Sequence, residues 1–323
     1  MDDAVREKDR RDACRRLDVV AAADAAVVAA RLTARSAAWA ARLGPPFDPG
    51  LAPLCSLPAA FVAPWLSGAG ADLTARTGLW IFALDAWTDG PPARHDPARL
   101  RAGLAALRAT AQAPPTPTTN AEPPPYGEGA FGGAAVSWEG GQVGALGAAL
   151  AQIRDAVAVA PGVLAWWRRA ADAALAGALF EYEAARRVAA GGPPPLLGAY
   201  LRHGAASIAL APLVLAMWSD MPDVTRPGLL PALRRPLRDA CVAVRLANDL
   251  RGHQRERGEG VLDALALGLP AERARRLLAG HVERCRRALD TLAESAPGPA
   301  LALERQLLWS VRHYEQIDAG HAA

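Results

Sequence analysis

"NDLRGHQRERGEG", residues 248–260, follows directly on the apolar run "CVAVRLA". On a helix, residues four apart drift by only about 40°, so Asn248, Gly252 and Glu256 stack along one face. Asp249 is turned about 100° away and belongs to another face. An amide oxygen, a carboxylate and a glycine gap with room for water make a hard-oxygen site suited to Mg2+. The flanking Arg251 and Arg255 fit a bare cation site poorly. They make sense if an anion arrives with the metal.

That reading needs a helical protein, and the composition favours one. Hydrophobic residues make up 51% of the 323-residue chain, enough for a sizeable core. Ala, Leu and Arg are abundant and β-branched residues are few, which favours helix over strand. The net charge is only +3, Lys8 is the sole lysine, and the arginines are scattered among acids. A nucleic-acid surface would need a clustered basic face, so no nucleic-acid partner is expected. The four cysteines (Cys14, Cys55, Cys241, Cys285) form no CxxC pair. That argues against a zinc site or disulfide framework and fits a reducing, cytoplasmic setting. The charged start "MDDAVREKDRRDACRR" lacks the apolar stretch of a signal peptide. The longest apolar run, 205–218, is shorter than the ~20 residues needed to span a bilayer, so no membrane span is expected.

Helical periodicity predicts helices over 17–43, 69–89, 97–112, 144–158, 163–189, 196–218, 227–256, 269–293 and 299–316, with no alternating strand pattern. The Pro/Gly-rich segment 113–142 reads as a long loop, disordered or not, within a single domain spanning 1–323.

Two further stretches carry chemistry. In "WIFALDAWTDG" (80–90), Asp85 and Asp89 lie four apart at the C-terminal end of an apolar helix. Carboxylates there oppose the helix macrodipole, which a bound cation would offset. In "GGPPPLLGAYLRHGAAS" (191–207), Arg202 heads a helix that then becomes apolar. Its planar fork suits a phosphate group.

Together these stretches resemble bacterial class I terpene synthases. "NDLRGHQRE" is similar to that family's second metal motif, Asn-Asp-Leu-x-(Ser/Thr/Gly)-x-x-x-Glu. "LDAWTD" stands where the aspartate-rich motif stands, and Arg202 lies at the family's spacing for a diphosphate-sensing arginine, 46 residues before Asn248. Ala86 replaces the second aspartate of the usual Asp-Asp-x-x-Asp, which weakens the match. The resemblance covers roughly residues 55 to 316.

The resemblance implies an all-α helical bundle around a central apolar cavity, in which a linear isoprenyl diphosphate ionises and cyclises. It implies three Mg2+ ions held by Asp85, Asp89, Asn248 and Glu256, with water at Gly252. Asp85, Arg202, Asn248 and Glu256 would carry the catalysis. Arg202 and Arg255 would contact the diphosphate, joined by Arg312 and Tyr314 in place of the family's adjacent Arg-Tyr pair. Phe82, one turn before Asp85, and Trp309, one turn before Arg312, are expected to face the cavity and stabilise a carbocation. Phe61, Trp65, Trp80, Trp87 and Ser207 are weaker cavity candidates, and His203, His253 and His313 form no ligand cluster.

Small residues (Ala83, Ala205, Ala206, Ala209) would widen the pocket, favouring the C20 geranylgeranyl diphosphate and a diterpene over C15 farnesyl diphosphate. The family often dimerises, so a homodimer is an expectation. The competing readings are a squalene- or phytoene-synthase-like condensing enzyme, which uses Asp-x-x-x-Asp twice, and an inactive isoprenoid-binding relative.

Overall fold

The computed structural model describes residues 18–90, 96–116, 141–259 and 262–316, apart from the side chains of 254–259. All regular structure among them is helical. The main helices are α1 (Val19–Leu43), α2 (Ala52–Val62), α3 (Gly68–Asp89), α4 (Pro97–Gln112), α5 (Gly141–Val157), α6 (Pro161–Ala189), α7 (Leu197–Ser207), α8 (Leu210–Trp218), α9 (Leu229–Glu259), α10 (Ala271–Ala293) and α11 (Pro297–Gln316). Most of the Pro/Gly-rich segment, 117–140, lies outside the described residues, as do Arg255 and Glu256 beyond their backbone.

One main core runs from Trp39 to Val311 and draws on almost every helix. Three tryptophans join helices through their indole N–H as well as their apolar faces. Trp39 donates to Gln152 Oε1 at 2.8 Å, Trp80 to Leu146 O at 3.0 Å and Trp218 to Pro299 O at 3.0 Å. The start of α3 is capped by Ser67, whose hydroxyl accepts from Gly70 N. Ser67 in turn donates through N and Oγ to Asp220, just past the end of α8, at 2.7 and 2.6 Å. These ties fix α3, and so the acids at its far end.

Two elements differ from the sequence reading. Helix α2, "APLCSLPAAFV", holds Pro53 in its first turn and Pro58 within it. No helix was expected over these residues; Pro53 is tolerated because it occupies a position whose N–H has no helical partner anyway. The single helix expected over 196–218 is two, meeting at Ile208 and Ala209. Pro212 cannot donate to the carbonyl of Ile208 and its ring would clash there, so the first helix stops and a second begins. Ala209 takes a left-handed conformation (φ 53°), fully buried. By length and composition Leu197–Trp218 could cross a membrane, but the break and its 56% burial make it a core helix pair.

Candidate active site

An apolar cavity of about 110 Å³ lies between the helices. Its walls are Leu54, Cys55 and Pro58 from α2, Thr74, Gly78, Ile81 and Phe82 from α3, Leu210 and Leu213 from α8, and Val244 from α9. Ile208 at the α7–α8 break and Gln306, Trp309, Ser310, His313 and Tyr314 from α11 complete it.

The two polar motifs sit at one end of this space. Asp85 lies one turn beyond Ile81 and Phe82, and Asn248 one turn beyond Val244, so both helices carry their motif past the same apolar lining. Asp85 and Asp89 have exposed side chains and Asn248 is half-buried, so this end is wet. Desolvation at Asp85, and then the charges of Asp89 and Glu181, push it well above the usual carboxylate range, against the pull of Arg245.

Glu181 and Arg245 are residues that the sequence reading missed. Arg245 places Nη1 2.8 Å from Glu181 Oε1 on α6 and Nε 2.7 Å from Asp249 Oδ1 on its own helix. It also donates to the Tyr200 hydroxyl on α7, which donates to both oxygens of Asp249 at 3.0 and 3.1 Å. Ala264 N completes the Asp249 set at 3.1 Å. Burial alone would lower the Arg245 pKa, but Asp249 and then Glu181 outweigh it and hold the guanidinium charged. Burial raises Glu181, opposed by Arg245 and by the hydroxyl of Ser207. α7 approaches this ion pair because Gly204 has no side chain: a Cβ there would lie 3.1 Å from Arg245 Nε and 3.2 Å from Glu181 Oε1. Asp249 is thus turned away from the cavity face, as its position on the helix predicts, and anchors α7 and residue 264 to α9.

The other expected residues divide. Phe82, Trp309 and Tyr314 line the cavity, and so does His313. Phe61 does not: it stacks on Trp309 at 6.2 Å in an outer groove between α2 and α11. Arg312 borders that outer groove too and pairs with Glu315 at 2.8 Å. Trp65 is 42% exposed, under the guanidinium of Arg305, and Trp87 is buried against Gly103 of α4. Ser207 faces Glu181 and bonds Gly204 O, away from the cavity. Gly252 is buried on α9. Arg202 is exposed on α7, on the side opposite Tyr200 and Gly204, and no carboxylate pairs with it among the described residues. His203 stacks on Phe180 and His253 pairs with Asp263, so both act within the scaffold.

The donor set suits a hard cation. Asp85, Asp89 and the Asn248 amide offer oxygen, and the crowding of Asp85, Asp89 and Glu181 is a repulsion that a cation would relieve. Among the described residues no three acids or histidines converge into a ready-made cage. The remaining ligand places would fall to water, to Glu256 and to an anion.

An all-α bundle around an aromatic-lined cavity, with Asp85 and Asn248 one turn past its lining, is the class I terpene synthase architecture, and solved structures of that class match it. A linalool/nerolidol synthase from Streptomyces clavuligerus, in complex with 2-fluorogeranyl diphosphate, is 18% identical with a TM-score of 0.63, over 90% of this chain and 95% of that one. Wild-type cucumene synthase is 18% identical with a TM-score of 0.59, over 90% and 96%. The SVS_A2 protein from ancestral sequence reconstruction is 17% identical with a TM-score of 0.61, over 89% and 85%. No family model matches the sequence, and a comparison with curated proteins finds no match. The chain therefore has the class I terpene synthase fold.

Proposed function

We propose that the protein is a class I terpene synthase that ionises a linear isoprenyl diphosphate and cyclises the resulting cation. The observation that carries this reading is the placement of Asp85 and Asn248 one helical turn past the lining of a single apolar, aromatic cavity. Such a site separates a charged headgroup from a hydrocarbon tail.

Asp85, Asp89, Asn248 and Glu256 are the residues that would hold Mg2+, with water beside Gly252. The metal would supply the positive charge that lets carboxylates and a diphosphate share one mouth and that stabilises the departing diphosphate. Arg202 and Arg255 are assigned to the diphosphate, Arg202 because no carboxylate among the described residues engages it. Arg312 leaves that set, since its head turns to the outer groove, while Tyr314 stays as a cavity-wall group able to reach the anion. Arg245 is a positioning residue: it holds α9 to α6 and pulls the raised Asp85 pKa back down. Below the mouth, Phe82 and Trp309 present aromatic faces that stabilise a carbocation without reacting with it. The dry lining of Ile81, Leu210, Leu213 and Val244 keeps water from quenching the cation early.

On chain length the reading shifts from the sequence expectation. Ala83, Ala205 and Ala209 are buried in helix packing, and neither they nor Ala206 line the cavity. Leucine, isoleucine, phenylalanine and tryptophan side chains do. The wide pocket that favoured geranylgeranyl diphosphate loses its basis, and we assign farnesyl diphosphate as the preferred substrate.

The test is incubation of the purified protein with geranyl, farnesyl and geranylgeranyl diphosphates, with Mg2+ or with EDTA, followed by gas chromatography–mass spectrometry. A cyclic C15 product formed only with Mg2+ is expected. A head-to-head C30 or C40 hydrocarbon would instead establish the condensing-enzyme reading, and binding without turnover the inactive-relative reading.

A further inference from the structure

The cavity wall carries a polar strip on α11. Gln306, Ser310 and His313 follow each other at helical spacings of four and three, so all three face the same way, into the cavity. Gln306 is 3% exposed; its Nε2 donates to Ser310 Oγ at 3.0 Å, while its Oε1 is buried with no hydrogen-bond partner. His313 Nε2 is likewise buried and without a partner. Leaving such an atom unpaired is unfavourable, so two of them, two turns apart on one face of α11 with Ser310 between, point to a polar guest. A water molecule needs two to four polar partners, and this strip offers an amide oxygen, a hydroxyl and an imidazole nitrogen. The strip runs inward from near the mouth. α11 and α3 start side by side, with Gly298 against Trp65, so Gln306 at its inner end lies about two to three turns deeper than Asp85, and His313 at its outer end about one turn deeper.

Resting on the terpene synthase reading, we propose that Gln306, Ser310 and His313 hold the water that ends the reaction, so that the product is a cyclic alcohol. A lone pair of the water forms the C–O bond to the cationic carbon. One O–H bond breaks, and its proton goes to the Nε2 lone pair of His313 in its Nδ1-protonated tautomer. The imidazolium then returns the proton to bulk water. Burial lowers the His313 pKa, which keeps the imidazole neutral and able to accept. Depth matters as much as chemistry: water at the mouth would give linear alcohols at the ionised end, whereas water beside Gln306 meets the cation after the chain has folded into the cavity.

The experiment is turnover of farnesyl and geranylgeranyl diphosphates with Mg2+ in H2(18)O, reading diphosphate release and product mass. The wild-type protein is expected to give a cyclic alcohol carrying one 18O. Gln306→Leu and His313→Leu should each lower the alcohol-to-hydrocarbon ratio among the products by about tenfold, the weight of one hydrogen bond. Diphosphate release with only hydrocarbons, or only linear alcohols, from the wild-type protein overturns the inference and leaves the terpene synthase reading intact. So does an unchanged ratio in both variants. Absence of Mg2+-dependent diphosphate release overturns both.

Discussion

The guanidinium of Arg245 lies 2.8 Å from Glu181, an ion pair that joins α9 to α6 within electrostatic reach of Asp85. Asp249 shares the same guanidinium and is fully buried. Removing one partner of such a cluster strands the others in a poorly solvated place. Arg245→Leu is expected to cost about 3–5 kcal/mol in chemical denaturation. Arg202→Leu, at an exposed position, should leave stability within about 0.5 kcal/mol while weakening diphosphate release.

Asp85 carries a conflict between stability and function. Desolvation, and then the charges of Asp89 and Glu181, raise its pKa well above the ordinary 3.8. A group raised in this way contributes stability that is fully present below the unfolded value and is lost as pH rises through the folded one. Asp85→Asn removes the ionisation, so its melting temperature should exceed that of the wild type at pH 7. The difference should close as pH falls towards 4, and added Mg2+ should narrow it at pH 7. Turnover should drop by on the order of 100-fold or more.

Phe82 and Trp65 give a contrast between an aromatic the sequence expected in the cavity and one of its weaker candidates. Phe82 lines the cavity beside the acid mouth, whereas Trp65 sits at the surface under Arg305. Phe82→Ala should slow turnover by about tenfold, the weight of a desolvated cation–π contact, and alter the product pattern. Trp65→Ala should leave that pattern unchanged by gas chromatography.

Trp87 is a packing residue, and its partner tests this. A Cβ on Gly103 would lie 2.6 Å from the Trp87 ring. Gly103→Ala should therefore destabilise by about 1–3 kcal/mol through overpacking. Product ratios should not move, because the strain falls on the side of α3 away from the cavity.

Most helices, and the placement of Asp85, Asp89 and Asn248 on them, were legible because they depend on local pattern: period-3.6 hydrophobicity, prolines and glycines between elements, and residues four apart. The helix break at Ala209 was written in the sequence too, in Pro212, but one proline in an apolar run reads as continuation. What depends on tertiary packing was not legible. Glu181 looked like one acid in the ordinary "FEYE" stretch, and nothing local says that α6 brings it to Arg245. Arg245 did carry a signal, as a lone charge inside "CVAVRLA" four residues before Asp249. Likewise the face of α11 that meets the cavity decides that His313 lines it while Arg312 does not, and spacing alone ranks neighbours equally. Alanines gave the poorest guide, since a small side chain marks close helix packing as readily as an open pocket.

The central claim is that this mouth ionises an allylic diphosphate with the help of a metal. The most direct measurement is diphosphate release from farnesyl diphosphate by the wild-type protein and by Asp85→Asn, with Mg2+ and with EDTA. Release by the wild type in Mg2+ alone, and its near-complete loss in the variant and in EDTA, is the predicted result. Release that ignores both Mg2+ and Asp85, or tight binding of isoprenyl diphosphates with no release at all, would contradict it.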